Sequence, residues 1–84
     1  MINKEGFKEW LKDNTDYSSK VIGDQICRMG RADTIRKWDG DDAYLFYLEK
    51  EDAFISMTVS VRSQMRKAVK LYSAYVNALS QMSK

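Results

Sequence analysis

Arg62, Arg66 and Lys70 follow one another at four-residue intervals, with Lys67 beside them, and residues 62–84 contain no acidic side chain. On a helix that spacing sets the cations in one row. A second group, Lys20, Arg28 and Arg31, occurs earlier in the chain. Several Lys and Arg side chains held on one surface are what a phosphate backbone requires, because each neutralised phosphate releases condensed counterions. A helix also fits a major groove, where Arg reaches guanine edges and Gln or Asn reaches adenine edges. Gln25, Gln64 and Asn77 are secondary candidates for that contact. If the helices carrying both groups face the same way, these cations meet a duplex together.

Other chemistries lack their residues. A Ser or Cys nucleophile needs a base that titrates near neutral pH, usually histidine, and the chain has none. The pairs Asp41/Asp42 and Glu51/Asp52 are adjacent in sequence, so on a helix they diverge, and they read as caps and dipole partners. With one cysteine and no histidine, the usual zinc ligand set is missing. The four glycines are isolated and fit no phosphate-cradling loop. Cys27 reads as a small residue on a helix face. The chain is therefore expected to be no enzyme, with no catalytic residues, no cofactor and no metal.

Four helical patterns would position the cations. The first starts at Asn3, a good N-cap, and sets Phe7, Trp10 and Leu11 on one face, with Ile2 and Phe7 as a hydrophobic staple. The second starts at Ser18, with Tyr17 and Ile22 as its staple and Ile22, Ile26 and Met29 on its apolar side. Gly30 is expected to interrupt or kink it, with residues 32–38 continuing as a last turn or a short extra helix. A turn at Trp38–Asp41 leads to a third helix capped by Asp39 or Asp41. Its apolar block Tyr44–Leu48 is also compatible with a buried strand, but the flanking acids favour helix. Residues 53–59 read as a connection whose Phe54, Ile55 and Met57 pack onto the core. The fourth pattern is the clearest: Val61, Met65, Ala68, Tyr72, Val76 and Leu79 form an apolar stripe opposite the cations.

These patterns predict an all-α fold, a compact four-helix orthogonal bundle with room for a short extra helix, in one domain spanning residues 1–84. The 44% hydrophobic content and net charge of +2 favour folding over disorder. Charge is nevertheless sorted along the chain: residues 38–61 are acidic, through Asp39, Asp41, Asp42, Glu49, Glu51 and Asp52 against Lys50. Such sorting suggests a dipolar domain with one basic side. A lone cysteine fits a reducing compartment, and no apolar run is long enough to span a bilayer, so a cytoplasmic location without membrane association is expected.

The helix order and two motifs resemble the N-terminal core-binding (SAM-like) domain of phage integrases and other tyrosine recombinases. Phe7-Lys8-Glu9-Trp10-Leu11 is similar to that family's opening helix. Ser18, Val21, Ile22, Gln25 and Met29 follow the spacing of its second, where Val21 replaces the usual Thr and Gln25 a frequent Tyr. Ser60, Val61, Met65, Ala68, Leu71, Tyr72 and Tyr75 follow its last. The resemblance implies half of a clamp on double-stranded DNA, serving integration and recombination. Strand cleavage would then belong to a separate C-terminal catalytic domain, if the chain is a fragment of such a protein. The competing expectation is a helical protein–protein interaction module, in which the acidic segment 39–52 and the basic fourth helix dock charged partners, or a structural accessory domain.

Overall fold

The computed structural model describes residues 2–82, and every regular element among them is helical. The order is α1 (Lys4–Asn14), α2 (Ser19–Ile35), α3 (Tyr44–Leu48), α4 (Asp52–Ile55) and α5 (Val59–Met82). The chain is thus all-α.

Side-chain capping starts the first two helices where the sequence places them. Asn3 Oδ1 accepts from the Gly6 N–H at 2.9 Å, and Ser18 Oγ accepts from the Val21 N–H at 3.3 Å. Thr58 Oγ1 accepts from the Val61 N–H at 3.2 Å at the head of α5. Ile2, Phe7 and Ile22 are buried in one core and Tyr17 packs against it, in keeping with both staples.

Three local expectations need correction. Gly30 does not interrupt α2, which runs unbroken to Ile35, with its neighbours Met29 and Ala32 fully buried. Burial of those side chains outweighs the ~1 kcal/mol that glycine costs inside a helix. The N-cap of α3 is Ala43, which has no side-chain cap; Asp41 instead accepts from the Ala43 N–H at 2.7 Å, and Asp39 from the Asp41 N–H at 3.0 Å. The acids therefore tie the turn ahead of the helix, where Gly40 adopts a φ of +76° that side chains disfavour. The expected connection at 53–59 is partly helical, and its Ile55 stays 53% exposed while Phe54 is buried.

α2 packs mainly on α5, and α1 lies against both. Their shared core is a run of edge-to-face rings: Phe7 on Tyr72 at 5.1 Å, Tyr72 on Trp38 at 5.1 Å, and Trp38 on Tyr44 at 4.8 Å. Such pairs add about 0.5–1.5 kcal/mol each beyond the area they bury. The ring hydroxyls are used as well. Tyr72 Oη accepts from the Asn3 N–H at 2.9 Å, fastening the head of α1 to α5. Tyr44 donates to the carbonyls of Ala32 and Arg36 at the end of α2. Met65, Ala68, Val69, Tyr72 and Tyr75 form the buried side of α5, whereas Leu79, at 44% exposed, lies beyond the fully covered stripe.

Candidate nucleic-acid interface

α5 carries Arg62, Arg66, Lys67 and Lys70 and no acid between Val59 and Met82. Their surroundings differ. Lys67 and Lys70 are exposed, and the Lys67 ammonium lies 5.2 Å from the ring centre of Tyr17. Arg66 is half-buried: its Nε donates to Glu49 Oε1 at 2.7 Å, and its guanidinium lies over the Phe54 ring at 5.5 Å. Arg62 is also half-buried, and its Nε is enclosed without a hydrogen-bond partner. The row readable from spacing therefore divides, because Glu49, just after α3, and Phe54 of α4 contact Arg66.

On α2, Lys20 and Arg31 are exposed and Arg28 is half-buried. One ring contact and one groove link the neighbourhoods of the two helices. Tyr17, which precedes the α2 cap, carries Lys67. Arg31 shares an open groove with Thr34, Met57, Thr58 and Val61, the last next to Arg62 in the chain.

The three polar candidates fall in different places. Gln64 and Asn77 are exposed, but Gln25 is only 2% exposed and its Oε1 is enclosed without a partner. A side chain so placed cannot reach a base edge. Val21, the other departure from the recombinase-like pattern, is half-buried in the first turn of α2.

Spacing alone did not single out Lys8 and Lys12, which line a cleft between α1 and α2. Lys4, Lys8 and Lys12 stand at four-residue intervals, a signal that was available but masked by the interspersed Glu5, Glu9 and Asp13. Among the described residues no cluster of His, Cys, Asp and Glu is arranged to hold a metal ion, and no helix is long and apolar enough to cross a membrane. No protein family matches this chain, and neither the curated proteins nor the solved structures contain a match to it.

Proposed function

We propose that the chain is a non-catalytic module that binds duplex DNA through the basic surfaces of α2 and α5, as part of an integrase- or site-specific-recombinase-like protein. The observation that carries this reading is the acid-free sequence of α5, where Lys67 and Lys70 are exposed, although Glu49 from outside the helix occupies Arg66. Lys20, Arg28 and Arg31 extend the set of cations onto α2. In this reading the module grips and positions DNA, any strand cleavage belongs to a separate catalytic domain, and the protein works in the cytoplasm.

The test is a titration with a short duplex at rising salt. About five phosphate contacts give a log–log slope near −4 to −5, and an isolated module binds at roughly 10⁻⁴–10⁻⁶ M, the non-specific range. A slope near zero overturns the reading.

One observation favours a protein partner instead. Phe46, Tyr47 and Ile55 are 58%, 44% and 53% exposed within or beside the acidic segment 39–52. Large exposed apolar side chains grouped with charge are a feature of interaction surfaces. That reading predicts that Phe46→Ser with Tyr47→Ser abolishes a protein complex, and that Lys67→Glu with Lys70→Glu leaves duplex affinity unchanged.

A further inference from the structure

We infer that the cleft between α1 and α2 seats the phosphodiester backbone of a bound duplex, with Lys8 and Lys12 as its phosphate ligands. The inference rests on the DNA-binding reading above and extends the interface to a helix outside it. The cleft encloses about 440 Å³, lined by Lys8 and Lys12 from α1 and by Ser19, Gly23, Ile26 and Cys27 from α2.

It shares a purely cationic lining with the Arg31 groove and differs in charge from two other clefts. The one beside Lys4 is also lined by Glu5 and Asp33, and the one beside Trp38 by Asp41 and Asp42. Among the described residues, Lys8 and Lys12 are the only charged ones lining the α1–α2 cleft. Glu9 lies 3.6 Å from Lys12, but the pair is 63% and 47% exposed, so water and salt weaken it. Lys20, the residue after Ser19, is exposed as well, and Asp24 stands one turn on between it and Arg28.

Shape agrees with charge. A Cβ added at Gly23 would meet nothing within 4 Å, so the cleft is open to the α2 backbone at this point. The wall offers the Ser19 hydroxyl as a donor to a phosphate oxygen. Ile22 and Ile26 supply the apolar part of the lining, and a lysine can lay its aliphatic stem along such a surface while its ammonium group meets a phosphate.

Cys27 provides the test, since it is exposed, lines the cleft and is the only cysteine of the chain. Its rate of alkylation by neutral iodoacetamide is measured on the full chain, free, with a duplex at a concentration that saturates fluorescence anisotropy, and with inorganic phosphate at matched ionic strength. The expected result is at least a severalfold slowing by duplex and little by phosphate. Lys8→Gln with Lys12→Gln should also flatten the salt slope by about 2, roughly 1 for each phosphate left without its lysine. Gly23→Glu, which enters open space with a better helix former, should weaken duplex binding while retaining the fold.

If duplex binds but Cys27 stays fully reactive and the slope is unchanged in the lysine variant, the cleft assignment is overturned and DNA binding stands. Equal protection by inorganic phosphate identifies a small-anion site and also overturns it. Absence of duplex binding at any salt overturns both readings.

Discussion

Glu49 at the end of α3 and Arg66 on α5, seventeen residues apart in sequence, are joined by a 2.7 Å hydrogen-bonded ion pair. Phe54 lies beneath the same guanidinium. The contact ties the acidic α3–α4 segment to the most basic helix, and it occupies one of the cations in the proposed interface. Glu49 therefore competes with any phosphate for Arg66.

Glu49→Gln should separate those roles. Both side chains are about one-third exposed, and pairs of this kind contribute about 1 kcal/mol or less. For a domain of this size that corresponds to a fall in Tm of at most about 4–8 °C. Freed of its counterion, Arg66 should tighten duplex binding about two- to fivefold at low salt, an effect that fades as salt screens the charge. Anisotropy titrations of the two proteins at low and high salt would measure it. Unchanged affinity at both salts removes Arg66 from the interface.

Tyr44 links alkaline stability to the end of α2. Burial, followed by the negative charges of Asp33 and Asp39, pushes its pKa from 10.0 up to about 12, while Arg36 pulls it down. The folded state therefore holds the phenolic proton more tightly than the unfolded chain. The resulting stability is fully present below pH 10 and is lost as pH rises from about 10 towards 12. Tyr72, also raised chiefly by burial, acts in the same direction. Tyr44→Phe should cost about 0.5–1.5 kcal/mol at neutral pH through the hydrogen bonds to Ala32 and Arg36. It should also flatten the alkaline decline measured by urea unfolding. A variant with an undiminished decline would exclude Tyr44 as its source.

Two glycines should respond in opposite directions to alanine. At Gly6 an added Cβ would lie 2.0 Å from Tyr75 Oη and 2.7 Å from Asn3 Nδ2. Tyr75 cannot easily yield, because it is buried against Phe7 and Tyr72. Gly6→Ala should therefore cost about 1–3 kcal/mol despite alanine's helix propensity. At Gly23 the space is empty, and Gly23→Ala should stabilise by about 0.5–1 kcal/mol. Thermal melts of the two variants test the pair, and a stabilised Gly6→Ala would contradict the close approach of α1 to Tyr75.

What is legible in the sequence follows the range of each interaction. Asn3 and Ser18 are readable as caps because each bonds a backbone N–H three residues away. The buried row of α5 is readable because helical period alone groups Met65, Ala68 and Tyr72. Gly30 misleads because its local preference is overruled by burial of Met29 and Ala32 against other helices. The division of the α5 cations is hidden for the same reason: periodicity aligns Arg62 with Arg66 but says nothing of Glu49 on another helix.

Gln25 gives a test of both stability and site assignment. It is the one buried polar side chain among the described residues, and its Oε1 is enclosed with no hydrogen-bond partner. An unpaired buried carbonyl loses its hydration without a replacement bond, at a cost of about 1–3 kcal/mol. Methionine has nearly the same length and volume and no such group, so Gln25→Met should recover much of that cost and raise Tm by several degrees. Because the side chain is 2% exposed, duplex affinity should stay within twofold. A variant that is more stable but binds duplex more than tenfold more weakly would make Gln25 a DNA-contacting residue and require α2 to move on binding. A destabilised variant would show that the amide pairs within the core.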